Sequence, residues 1–201
     1  MCLRSFVIAV LMVVGGACDR RPASNATTTQ PIDDRPVFLE AYARIGSPLG
    51  RPSQSQFIVC LFTRTDCPVS NSYAPEVRRI HQKYSQRGVG FYLVYPDADE
   101  SAQMIEKHLK EYSYPFAGLR DPKHELVKLA GAKITPEAAV FDQEGKLLYR
   151  GRIDDKYVDF GKMRLAPTVR DLEQALEAVL AGKPAPAAGG PAIGCFIADV
   201  K

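Results

Sequence analysis

The hydrophobic pattern of this chain changes period several times, and each change marks an element. Phe57-Ile58-Val59-Cys60-Leu61-Phe62 is apolar without a break, which predicts a strand buried on both faces in the middle of a parallel or mixed sheet. After a short polar turn, Val69, Tyr73, Val77, Ile80 and Tyr84 recur at spacings of three and four. They predict one amphipathic helix, with Arg78, Arg79, Gln82 and Lys83 on its wet side and Gly88 as its stop. Residues 89–95 predict a second buried strand. Residues 101–112 predict a helix with Met104, Ile105, Leu109 and Tyr112 inward, and residues 114–119 a short strand. Asp121-Pro122 then caps and starts a helix carrying Leu126, Val127, Leu129 and Ala130, closed by Gly131. Residues 138–141 and 146–150, joined through Asp142-Gln143-Glu144-Gly145, predict a hairpin. The last predicted helix runs over 168–181. Its stripe is Leu172, Ala175, Leu176 and Val179, Thr168 and Asp171 form a near-capping box, and Gly182 ends it.

That order of elements predicts an α/β fold with a mixed central β-sheet flanked by helices. No internal repeat and no second domain are visible. Residues 1–18 follow the plan of a secretory signal: Arg4, an apolar run over 6–14, then Gly15-Gly16-Ala17. The run falls short of the ~20 apolar residues that a membrane span needs. Residues 19–36 are polar and low in complexity and predict a disordered linker. The globular domain is expected over 37–183, where residues 37–45 are apolar enough to pack but fit strand or helix equally. Residues 184–201 predict a flexible tail, Pro-, Ala- and Gly-rich at first and then apolar around Cys195.

Composition removes some classes of function. The formal charge of +3 is small and no Lys/Arg cluster appears, so nucleic acid is not expected as a partner. No phosphate-binding glycine loop, no Ser-His-Asp order and no flavin or nicotinamide fingerprint is present, and no cofactor is expected.

The candidate chemistry lies in the cysteines. Cys67 sits where the first strand turns into a helix, with Pro68 at the first helical position. A sulfur there faces free backbone N–H groups and the positive end of the helix dipole, which favour the reactive thiolate. Of the five cysteines, Cys2 leaves with the signal. Cys60 lies within a buried strand and reads as an inert core thiol. Cys18 belongs to the leader, which leaves Cys67 and Cys195. The thirteen residues from Gly182 to Cys195 reach ~45 Å when extended, against a radius of gyration of ~15 Å for such a domain, so Cys195 can meet Cys67. His81, His108 and His124 fall on predicted helices, with His108 in a core stripe and the other two at the surface. Asp154 and Asp155 read as a solvated loop rather than a carboxylate pair at the site.

The stretch around Cys67 resembles the active-site segment of the thioredoxin superfamily. Cys67 and Pro75 keep its eight-residue spacing, Ser70 replaces the second cysteine of Cys-x-x-Cys, and Asp66 replaces the usual aromatic residue. Asp-Cys-Pro followed by Asn-x-Tyr-Ala-Pro-Glu is most similar to the redoxin-like branch, the alkyl hydroperoxide reductase/thiol-specific antioxidant or TlpA-like proteins. Thr135-Pro136, just before a strand, resembles the cis-proline loop that lies against the active-site cysteine in that superfamily. The resemblance implies a thioredoxin-like fold, a cis Thr135–Pro136 bond and a thiol–disulfide oxidoreductase. It also implies that Cys67 is the nucleophile, with Thr135 and Pro136 against it and Thr63, Arg64, Asp66 and Ser70 around it.

Cys195 is then read as the resolving thiol that Ser70 cannot supply. The alternatives are that it docks the tail structurally or binds a partner or metal. The expected partner is a thiol or disulfide protein, attacked to give a mixed disulfide, or a small peroxide, which would leave a sulfenic acid. Peroxiredoxins normally place a threonine three residues before the reactive cysteine. Arg64 stands there, so thiol peroxidase is the alternative reading. Asp66 beside the sulfur is expected to raise its pKa. Copper chaperones of the Sco type share the fold but use Cys-x-x-x-Cys and a histidine. Asn71 stands four residues after Cys67 and no His is near Thr135, so no metal site is predicted, although Cys67 and Cys195 together keep Cu(I) handling as an alternative. A non-catalytic binding module is the last. Ala17-Cys18 resembles a lipobox and Asp19 an inner-membrane retention signal. This implies lipidation at Cys18 and a periplasmic protein of the cell envelope, tethered to the inner membrane.

Overall fold

The fold is built outward from the first predicted strand. The structure is a computed structural model and describes residues 55–198; the leader with Cys18, the linker and the uncertain stretch at 37–45 lie outside the described residues. Strand β1 (Phe57–Phe62) is the middle of a five-stranded sheet of order β3-β2-β1-β5-β6. Strands β2 (Val89–Tyr95) and β3 (Gly118–Arg120) continue it in parallel, with Val59 beside Phe91 and Val94 beside Leu119. On the other side β5 (Glu137–Asp142) and β6 (Leu147–Gly151) form the predicted hairpin, antiparallel to β1 and to each other. This is a mixed sheet flanked by helices. The domain is α/β with a thioredoxin-like order of elements.

Side chains of β1 alternate between two cores, as pleating requires. Val59 and Leu61 join one cluster with Val77, Ile80, Ile105, Leu109, Leu172 and Leu176. Ile58, Cys60 and Phe62 join the other, under Leu126, Val127 and Ala130. Burial of each such side chain contributes about 1.5–3 kcal/mol. The first cluster therefore fastens β1 to α2 (Ala74–Tyr84), α3 (Ala102–Glu111) and α5 (Asp171–Leu180), and the second fastens it to α4 (Glu125–Ala130).

The predicted first helix is two. Helix α1 (Pro68–Ser72) ends before Tyr73, and α2 begins at Ala74. Pro75 has no N–H to give the Asn71 carbonyl one turn back, so the ladder breaks there, although all five stripe residues are buried. A 3₁₀ turn (Ser85–Arg87) follows α2, and Gly88 ends it in the left-handed region at φ 82°.

Four other expectations are corrected by long-range partners. Met104 is 47% exposed, and its expected inward place belongs to His108, one helical turn on and buried. His124 is buried rather than on the surface, and its Nε2 donates to the Pro96 carbonyl at 2.9 Å. Thr168 does not cap α5, which begins at Asp171; its N–H and hydroxyl go to Asp155. Asp154 and Asp155 are buried rather than a solvated loop. Asp154 accepts from the Tyr73 hydroxyl at 2.6 Å, and Asp155 holds the segment before α5. The helix expected to start at Pro122 begins at Glu125 with His124 as its N-cap, while the Asp121 carboxylate accepts from Glu125 N–H at 2.7 Å and Val127 N–H at 2.9 Å.

Two short ribbons complete the described chain. Strands β7 (Tyr157–Asp159) and β8 (Lys162–Met163) pair in a hairpin, and β4 (Ile134–Thr135) pairs antiparallel with β9 (Cys195–Phe196). The tail that ends in β9 runs extended along the domain. Ala185 and Ala188 pack on the first cluster, and Gly189 N–H donates to Asp171 at 2.6 Å.

Candidate functional site at the start of helix α1

The buried strand β1 delivers the chain to a turn in which Cys67 is the N-cap and Pro68 the first helical residue. Proline costs nothing there, because that N–H has no intrahelical partner in any case. The turn is held at several points. Thr63 N–H donates to the Val94 carbonyl at 2.8 Å and Thr65 N–H to the buried Glu100 carboxylate at 2.5 Å. Asn71 reaches back from α1 and donates to the Thr65 carbonyl at 2.9 Å. Asn71 Oδ1 in turn accepts from His108 Nε2 at 2.9 Å, which leaves His108 Nδ1 to accept from the Tyr95 hydroxyl at 2.8 Å. Burial pushes the His108 pKa down, and this bonding pattern is that of a neutral imidazole.

Against this turn lies the loop that contains the cis Thr135–Pro136 bond. Cys67 Sγ is 3.3 Å from the Thr135 carbonyl oxygen. Strand β9 lies on the outer edge of that loop, with Thr135 opposite Cys195 and Ile134 opposite Phe196. Ile197 N–H donates to the Lys133 carbonyl at 2.9 Å, and the Thr135 hydroxyl donates to the Cys195 carbonyl at 3.4 Å. This brings Cys195 Sγ to 2.8 Å from Cys67 Sγ. Both cysteines are free.

The two thiols are electrostatically unequal. Burial works to raise the Cys67 pKa, yet it lies below the usual thiol range. Donation from the Cys195 thiol outweighs burial, together with Ser70, which offers its backbone N–H and a hydroxyl that has no other hydrogen-bond partner, and with Thr135. Cys195 is pushed up to about 12 by burial, by the proton it gives to Cys67 and by the nearby Cys67 charge. One sulfur is poised to be the thiolate and the other to keep the proton. Cys60, on β1, is pushed up to about 12 by burial and the Asp121 charge, as an inert core thiol would be.

Of the residues expected around Cys67, the structure brings together Ser70, Thr135, Pro136 and Cys195. Thr63 is buried at the end of β1. Arg64 turns to the carboxylates of Asp66 at 3.1 Å and Asp97 at 3.0 Å. The Asp66 side chain is 69% exposed and paired with Arg64, and its charge adds to the raised pKa of Cys195. Cys67 is only 1% exposed, and Cys195 of β9 lies over its sulfur at 2.8 Å. Sequence reasoning missed Glu100 and the clamp made by Asn71, and it passed over Gly194. A Cβ at position 194 would overlap the Thr135 carbonyl oxygen and lie 3.1 Å from Pro136 Cδ; a glycine directly before the only tail cysteine was the available signal. Among the described residues, no group of three or more His, Cys, Asp or Glu side chains converges as on a metal ion.

Comparison with known proteins gives matches at three levels. The sequence pattern of the Redoxin family matches residues 24–164. The thiol-disulfide oxidoreductase ResA of Bacillus thuringiensis subsp. konkukian is 26% identical over 87 residues, 43% of this chain and 49% of ResA. ResA of Bacillus cereus matches equally. The chain thus spans about half the length of these curated relatives. Among solved structures, an uncharacterized conserved protein from Geobacillus kaustophilus superposes with a TM-score of 0.63 at 30% identity, over 72% of this chain and 78% of that one. A hypothetical protein from Sinorhizobium meliloti 1021 gives 0.61 at 26% identity, over 72% and 80%.

Proposed function

The chain belongs to the Redoxin family, and from that premise we propose that it is an exported thiol–disulfide oxidoreductase in which Cys67 attacks and Cys195 resolves. The observation that carries the reading is the pair of free sulfurs 2.8 Å apart, one with a lowered and one with a raised pKa, against a cis-proline loop. The Cys67 thiolate attacks one sulfur of a substrate disulfide, forms a mixed disulfide and releases the other sulfur as a thiolate. Cys195 then loses its proton and attacks Cys67 Sγ. The Cys67–Cys195 disulfide closes, and the second substrate thiolate leaves. Two electrons pass from the protein dithiol to the substrate, and the reverse order of steps oxidises a dithiol. The reading extends to the compartment: residues 1–18 act as a signal, Cys18 is lipidated, and the domain works in the cell envelope. Disulfides persist outside the cytoplasm.

No peroxide step is included, because Arg64 stands where peroxiredoxins place threonine and is engaged with two carboxylates. Thiol trapping tests the reading. Incubated with a disulfide, the Cys195→Ser variant accumulates a mixed disulfide on Cys67, the wild type proceeds to an intramolecular disulfide, and Cys67→Ser forms neither. If both thiols of the wild type are still free after mild oxidation, the oxidoreductase reading fails and a binding module takes its place.

A further inference from the structure

Strand β9 covers the sulfur that, on the reading above, must meet a substrate. The cover is specific in form. It is an extended segment, antiparallel to β4, with its cysteine opposite Thr135 and its sulfur 2.8 Å from Cys67. Its backbone is held through Ile197 N–H and the Cys195 carbonyl. The residue before the cysteine has to be glycine, because any Cβ there overlaps the Thr135 carbonyl. Ile197, two residues after the cysteine, packs on the second core cluster, whereas Phe196 between them is 78% exposed. The alternation is that of a strand with one face on the domain.

We propose that β9 occupies the substrate's own place, so that the substrate is an extended polypeptide bearing a cysteine disulfide with a glycine before the cysteine and an aliphatic residue two after it. The inference rests on the oxidoreductase reading and adds the substrate class and its register. A strand of two residues with an exposed aromatic makes a weak closure, and segments so held open locally at low cost. The arm behind it stays fastened by Gly189 on Asp171, itself paired with Arg152 at 2.8 Å. Opening thus swings only the last residues aside. A substrate strand then pairs with β4 and presents its sulfur to Cys67. The Cys67 thiolate bonds to that sulfur and the substrate's other sulfur leaves as a thiolate. Returning β9 brings Cys195, which gives up its proton, bonds to Cys67 Sγ and expels the peptide thiolate.

The test uses the full reduced chain, wild type and Gly194→Val, and two peptides. One has the sequence of residues 192–198 with its cysteine as the thionitrobenzoate disulfide; the other has valine in place of its glycine. Release of thionitrobenzoate is followed. Gly194→Val cannot seat β9, so it reacts with the glycine peptide on the order of tenfold faster than the wild type, the factor by which a mostly closed population slows an intrinsic step. It also reacts with the glycine peptide on the order of tenfold faster than with the valine peptide, which meets the same steric clash. Equal rates for the two proteins, or for the two peptides, overturn the proposal. Hydrogen exchange at the Ile197 amide reads the closure independently of catalysis: it speeds up in Gly194→Val, and unchanged protection also overturns the proposal. Failure of the oxidoreductase reading looks different. In that case Ile197 exchange speeds up, yet Cys67 of Gly194→Val reacts with a small aromatic disulfide no faster than a cysteine of the urea-unfolded chain.

Discussion

Cys195 Sγ stands 2.8 Å from Cys67 Sγ, although 128 residues separate them in the chain. A disulfide bond is about 2.05 Å long, so a small approach closes the pair without rearranging the sheet. Joining residues this far apart removes much of the freedom of the unfolded chain. Oxidation is therefore expected to stabilise the fold by about 2–4 kcal/mol. Guanidinium melts of the oxidised and reduced protein measure it, and the Cys195→Ser variant must show no difference between the two conditions. Coincident oxidised and reduced midpoints in the wild type would mean that the sulfurs do not pair.

The inequality of the two thiols makes a second prediction. The Cys67 pKa is lowered against the pull of burial, and the leading cause of the lowering is the bond donated by Cys195. Thiolate absorbance in the ultraviolet should rise with a midpoint below that of an ordinary thiol. In Cys195→Ala that donor is gone, and the midpoint should move upward. Absorbance reads ionisation without needing access to the buried sulfur. An unmoved midpoint would assign the lowering to Ser70 and Thr135 alone.

What the sequence made legible follows from how local each signal is. The unbroken run over 57–62 predicts a doubly buried strand, and β1 takes that form. Pro68 after Cys67 marked a helix start, and both are local patterns. The cis bond at Thr135–Pro136 was legible through resemblance, since nothing in residues 132–141 dictates it. Residues whose environment is made by distant partners were misplaced. His124 is buried because Pro96 offers it a carbonyl, and Asp155 because Thr168 and Val169 offer it N–H groups. The clamp from Asn71 to His108 spans 37 residues and has no periodic signature. Reach arguments allowed Cys195 to meet Cys67 but could not show that the meeting would bury Cys67, because burial depends on the register of β9 against β4.

Asp155 should matter to stability more than its place in a loop suggests. It accepts from Thr168 N–H at 2.7 Å and Val169 N–H at 3.0 Å and pairs with Arg164 at 3.3 Å. Burial works against the charge, but the bonds from Thr168 and Val169 and the Arg164 charge hold its pKa down to about 2. A depressed folded-state value gives stability that is present above the unfolded pKa of 3.8 and lost as pH falls through 2. Asp155→Ala leaves two backbone donors unmatched and should cost about 1–3 kcal/mol at neutral pH. The gap from wild type should shrink below pH 3.8 as Asp155 itself protonates. Urea melts at a series of pH values test this, and a gap that stays constant into acid would show that the charge plays no part.

Cys60 carries the opposite sign. Its folded-state pKa is raised from 9.0 to about 12, by burial first and by the Asp121 charge second. The neutral thiol fits the core, whereas the unfolded chain ionises it from about pH 9. Its contribution is thus complete below 9 and is lost as pH rises toward 12, by at most about 1.4 kcal/mol per pH unit. Cys60→Ala should be less stable than wild type at pH 7, because it leaves a small cavity beside Phe62 and Ala139. Between pH 9 and 11 it should close that gap, since it no longer has a thiol to ionise on unfolding. Other groups that titrate in alkali are common to both proteins and cancel in the difference. A stability difference that is flat across this range would show that Cys60 ionises in the folded protein, and with that the assignment of Cys60 as an inert core thiol would fall.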